Sequence, residues 1–167
     1  MTRRDITIKW IAYLVGLVVV SAFNYNVLSR LPIALPLLLP MAAVATGVLE
    51  GPKFGLLFGM AAGILTSCTG YKGLYCIPLL ALLGWVCGLV AQYVLRRDLV
   101  GHLICAAVAA LLWEVWQVLF RLLTHIAALP VLIRVALPEL LWTLAFSFPV
   151  YWVFHFCCIH FGRIYHE

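Results

Sequence analysis

The stretch Gly47-Val-Leu-Glu-Gly51-Pro-Lys-Phe-Gly55-Leu-Leu-Phe-Gly59-Met-Ala-Ala-Gly63 places a glycine at every fourth position. In water such a segment makes a poor helix, because each interior glycine costs ~1 kcal/mol relative to alanine. In a bilayer the backbone must satisfy its own hydrogen bonds, so the segment is helical regardless. Glycines four apart then line a smooth groove that lets a second helix approach closely. Pro52 follows Gly51, and Glu50 and Lys53 flank the two, so Gly47 and Gly51 are expected to lead into a turn. That leaves Gly55, Gly59 and Gly63 as the helix-packing face. The groove is expected to pack within the protein's own bundle, with a partner helix as the alternative.

The rest of the chain agrees with a membrane setting. Its 167 residues are 66% hydrophobic and 10% charged, with a mean hydropathy of +1.11. About 20 residues cross the hydrocarbon core, so six crossings use most of the length and leave only short loops. The expected fold is an all-α integral membrane protein, a single transmembrane domain over residues 1–167. Its spans are expected at about 10–28, 31–49, 54–66, 74–95, 100–123 and 139–159. Pro32, Pro36 and Pro40 should bend the second helix. The third is short, and Lys53 and Lys72 bracket it as a crossing. Residues His125 to Pro138, which include Pro130 and Arg134, are expected to form a loop or interfacial segment before the sixth helix.

The formal charge of +5 comes from eleven Lys and Arg against six Asp and Glu. These charges sit singly at the ends of apolar runs, which points to membrane topology rather than to nucleic acid. The one tight cluster, Arg96-Arg97, suits anionic lipid. With the amino terminus inside, Arg3, Arg4, Lys9, Lys53, Arg96, Arg97 and Arg163 fall on the inner side, and Arg30, Lys72 and Arg134 on the outer. Seven against three implies a multi-pass protein of the bacterial cytoplasmic membrane with both termini cytoplasmic. The basic amino terminus and the apolar run Ile11–Val20 are reminiscent of a signal peptide. The run continues uncharged to Val27, however, so it is expected to stay as the first helix.

The fifth span carries the strongest polar pattern. Glu114, Gln117, Arg121 and His125 sit at i, i+3, i+7 and i+11, along one helix face. Glu114 falls near mid-membrane, where an ionisable group costs ~2.5–3.5 kcal/mol on insertion scales. It should face the interior and form an intramembrane polar network with Gln117 and Arg121. Asn24 and Asn26 should cap the outer end of the first helix, and Glu50 and Glu139 read as interfacial. The six cysteines contain no C-x-x-C pair and read as apolar filling. The histidines offer no ligand set; His155 and Cys158, three apart, are too few for a metal. No cofactor is expected. The chain has no H-E-x-x-H, G-x-S-x-G, Walker loop or paired intramembrane carboxylates, so it reads as a non-enzyme.

The stretch Gly55-LLF-Gly59-MAA-Gly63-ILTSCT-Gly70-YK-Gly73-LYCIPLLALL-Gly84-WVC-Gly88 resembles the centre of the MreD family of rod shape-determining membrane proteins. That family is similar in size and has a repeated-glycine helix, a small-residue turn, then Gly-Leu opening a helix that ends on a Gly-aromatic pair. Here those features fall at Gly73-Leu74 and Gly84-Trp85. Where members often carry an aspartate after the glycine run, this chain has Thr66. The resemblance implies a non-enzymatic scaffold acting with an MreC-like bitopic protein and cell-wall synthases in peptidoglycan elongation. It also implies a bundle like the substrate-binding S components of energy-coupling-factor vitamin transporters. Such a component is the alternative function, and Ala12-x-x-x-Gly16 is its candidate docking pattern.

Overall fold

In the computed structural model, residues 3–26, 37–68, 73–93, 99–124 and 129–161 are described. They form six helices and no strand: α1 (Arg3–Asn26), α2 (Leu38–Glu50), α3 (Pro52–Cys68), α4 (Cys76–Tyr93), α5 (Leu99–Leu123) and α6 (Leu129–Phe161). Four stretches are long and apolar enough to cross a membrane: Thr7–Asn26, Cys76–Tyr93, Leu99–Leu123 and Leu129–Ile159. They make this a multi-pass membrane protein. The other two helices are shorter. At ~1.5 Å per residue, the 13 residues of α2 extend ~20 Å.

The short helix α2 is the centre of the bundle. All 13 of its residues are buried, and it touches each of the other five helices. Its small residues allow this crowding, with Ala42, Ala43 and Ala45 at 0% exposure. Thr46 keeps its hydroxyl satisfied by donating to the carbonyls of Ala42 and Ala43 at 3.1 and 3.0 Å. Pro40 falls in the first turn, where no intrahelical N–H is needed. Pro32 and Pro36, and the bend expected from them, lie outside the described residues, as do Arg30, Lys72, Arg96, Arg97, His125 and the tail from Gly162.

The glycine pattern builds the seam between α2, α3 and α4. A Cβ placed on Gly59 would run into the backbone of Leu80 and lie 2.7 Å from the Ala81 Cα; one on Gly63 would lie 2.5 Å from the Ile77 Cα. Gly55 and Gly84 face each other backbone to backbone, and a Cβ on Gly88 would lie 2.6 Å from the Pro52 Cα. These pairs run in opposite chain directions, so α3 and α4 are antiparallel. The expected turn needs one correction. Gly51 does form it, with φ of +101°, but Gly47 is a buried residue inside α2. A Cβ there would sit 2.5 Å from the Gly84 carbonyl oxygen. Glycines on both sides of the turn therefore meet the same glycine of α4.

The sixth helix also departs from expectation. It starts at Leu129 rather than near Glu139 and runs 33 residues through Pro138 and Pro149. The prolines and Arg134 resemble loop punctuation in sequence. Pro130, however, occupies the first turn, where its missing N–H has no role. Inside an apolar setting, continuing the helix past a proline forfeits one backbone bond, whereas a loop would strand several.

Candidate functional site

Lys9 and Tyr13 are four residues apart on α1 and so share a face. That face meets the carboxyl end of α2, where Glu50 is the last helical residue. A carboxylate there opposes the helix dipole and requires a cation. Lys9 Nζ lies 2.5 Å from Glu50 Oε1, and the Tyr13 hydroxyl donates to the same oxygen at 2.7 Å. Lys9 is 1% exposed and Glu50 4%. Taking two ions out of water costs several kcal/mol each, recovered only by close pairing and further hydrogen bonds. Tyr13 supplies one of those bonds, and its ring lies 5.8 Å beneath the ammonium.

A cluster of aromatic rings packs beside this pair. Trp10 packs on Phe54 and Phe58 with centroids 5.2 and 5.6 Å apart. Tyr13 meets Phe58 edge-on at 5.6 Å and stacks on Phe154 of α6 at 5.8 Å. Beside the pair is a cavity of about 10 Å³, lined by Lys9, Glu50, Tyr13, Thr46 and the rings of Trp10, Phe54 and Phe58. That is no larger than a single water.

This cluster adds a pairing to the sequence reading: Glu50 and Lys9, each expected at a span end, are buried against each other. The sequence did hold a signal. Lys9 at the start of the first span and Glu50 at the end of the second fall on the same side of the membrane under the expected topology. Opposite charges at adjacent span ends are pairing candidates.

On the fifth helix the Gln117–Arg121 step of the expected ladder is present. Glu114 is buried at 7% exposure, beside the fully buried Trp113. Gln117 is half-buried, and its Oε1 accepts from Arg121 Nη2 at 3.3 Å on the exposed side. His125 lies outside the described residues. A second polar junction that the sequence reading missed joins α5 to α6. His102 Nε2 lies 2.9 Å from Ser147 Oγ, both at 0% exposure, and the His102 ring stacks on Tyr151 at 4.9 Å. Thr143, one turn before Ser147, donates to the Glu139 carbonyl at 2.6 Å and accepts from the Leu37 N–H at 3.0 Å. His102 stood alone in an apolar run, so nothing in the local pattern marked it. Asn26, at the end of α1, donates back to the Ala22 carbonyl at 2.9 Å.

The cysteines are all free among the described residues, and no group of three or more His, Cys, Asp or Glu side chains there could hold a metal ion. No protein-family model, curated protein or solved structure matches the chain.

Proposed function

We propose that this chain is a non-enzymatic scaffold of the cell-elongation machinery in the cytoplasmic membrane of a wall-bearing bacterium. Its partners would be an MreC-like bitopic protein and cell-wall synthases, met mainly within the membrane. The observation that carries this reading is how the conspicuous residues are used. The glycines at the heart of the MreD resemblance press helix backbone against helix backbone. The buried charges of Lys9 and Glu50 bind each other, and the cavity beside them is no larger than a single water. Such a core favours fixed shape over transport of a vitamin-sized ligand. The outward faces of α1, α5 and α6 remain apolar, with Ile11, Val15, Leu112, Val115, Trp142 and Trp152 all exposed. Those faces are available to lipid and to partner helices.

Depleting the protein should turn rod-shaped cells round while vitamin uptake stays normal. Unchanged shape together with lost growth on trace vitamin would instead make the S-component reading the better one. The topology within this proposal, six crossings with both termini cytoplasmic, is tested by labelling Thr2→Cys and Lys72→Cys variants. They should react from opposite sides, and reaction from the same side would exclude it.

A further inference from the structure

The cysteines read as apolar filling in the sequence, and the scaffold reading leaves them unused. We propose that Cys87 and Cys105 are a redox-active dithiol, oxidised by hydrogen peroxide to a disulfide that staples α4 to α5.

The fold brings the two sulfurs level. Cys87 lies six residues before the end of α4 at Tyr93, and Cys105 six residues after the start of α5 at Leu99. Such positions stand opposite each other when consecutive helices pack antiparallel. These two do: Tyr75, immediately before α4, packs on Phe120 near the far end of α5, with ring centroids 5.6 Å apart. At the near end the Cys87 and Cys105 thiols hydrogen-bond each other. Both are free and buried, at 6% and 3% exposure. Their place in the bundle gives the bond a consequence. α4 belongs to the glycine seam with α3, where backbone meets backbone, and α5 is joined to α6 through His102 and Ser147. A bridge from Cys87 to Cys105 ties these two packing units together covalently.

The chemistry balances with one peroxide. One sulfur, as thiolate, attacks a peroxide oxygen, and the O–O bond breaks. The sulfur becomes a sulfenic acid, and the departing hydroxide takes up the thiol proton as water. The second sulfur then attacks the sulfenic sulfur, an S–S bond replaces S–O, and a second water leaves with the remaining thiol proton. The sulfurs are oxidised and the peroxide is reduced. Peroxide is neutral and little larger than water, which suits a nearly closed apolar setting better than a bulky or charged oxidant.

The test uses the full-length protein in nanodiscs, treated with hydrogen peroxide, then unfolded and tagged with polyethylene-glycol maleimide. The chain has six cysteines, so the reduced protein should take six tags and the bridged protein four, returning to six after dithiothreitol. Digestion should yield a disulfide-linked peptide pair containing Cys87 and Cys105. The melting temperature should rise by about 5–10 °C, as closing a loop of this length implies. Cys87→Ser and Cys105→Ser should form no bridge and show no rise. The linkage is read in the wild type, so the result does not depend on either variant accumulating. Six tags after peroxide, a loss that dithiothreitol does not reverse, a bridge between other cysteines, or a bridge without a rise in melting temperature overturns the proposal.

Discussion

Between α3 and α4 backbone touches backbone; between α5 and α6 side chains stand in the gap. In the first case the contact is made by what is missing. Gly55, Gly59, Gly63 and Gly84 leave no Cβ to hold the helices apart, and any Cβ added would meet main-chain atoms. In the second, His102 reaches Ser147 across the interface and stacks on Tyr151. The α1–α2 contact is of a third kind, built on the Lys9–Glu50 ion pair. A backbone cannot yield, a buried ion pair cannot lose one partner, and a neutral hydrogen bond can be given up at small cost. The three kinds of contact should therefore differ in what a single substitution does.

The largest effect is expected in the glycine seam. Gly59→Leu should cost more than ~3 kcal/mol, beyond ordinary overpacking, because the obstructing atoms of Leu80 and Ala81 belong to the main chain. Leu57→Ala, two residues away and half-exposed at 50%, should stay within about 0.5 kcal/mol. Membrane accumulation and thermal melting of the pair measure the contrast. Normal accumulation of Gly59→Leu would mean that α3 does not pack through this face.

Next comes the ion pair. Lys9→Met should destabilise by about 3–5 kcal/mol, since it strands a buried carboxylate. Adding Glu50→Leu to the same protein should recover most of that loss, because two apolar groups of similar size impose no desolvation penalty. A double variant as unstable as the single one would show that the pair is needed for more than its own neutralisation.

The neutral junction should matter less. Ser147→Ala removes the partner of His102 Nε2, and interhelical hydrogen bonds in membranes average ~0.6 kcal/mol. A loss of several times that in a thermal melt would place His102 in a larger network. The smallest effect is expected at Glu114. Glu114→Gln keeps most of the hydrogen-bonding capacity of a residue 7% exposed and should shift stability by less than ~0.5 kcal/mol, in the range of a single interhelical bond. A larger loss in the same melt would show that its charge is being held.

Much of this architecture is legible in the sequence, because a bilayer admits few solutions. Apolar runs of spanning length must be helical, whatever their propensities. That alone determined an all-helical membrane protein, with α4 and α5 within a few residues of their expected bounds. The repeat Gly55, Gly59, Gly63 marked a close-packing face, since spacing by four puts residues on one side of a helix without reference to anything else in the chain. What lies across from that face was a different matter. Gly47 looked like part of a turn until Gly84 was seen opposite it, and nothing next to Glu50 in the sequence named Lys9 as its partner. His102 carried no local mark at all. Pairings of this kind depend on how α1, α2 and α4 are arranged around one another, and so does the complete burial of the 13-residue α2. Sequence periodicity records which side of a helix a residue occupies; only the assembled bundle decides what that side meets, because the free energy of a buried group belongs to the pair and not to either member.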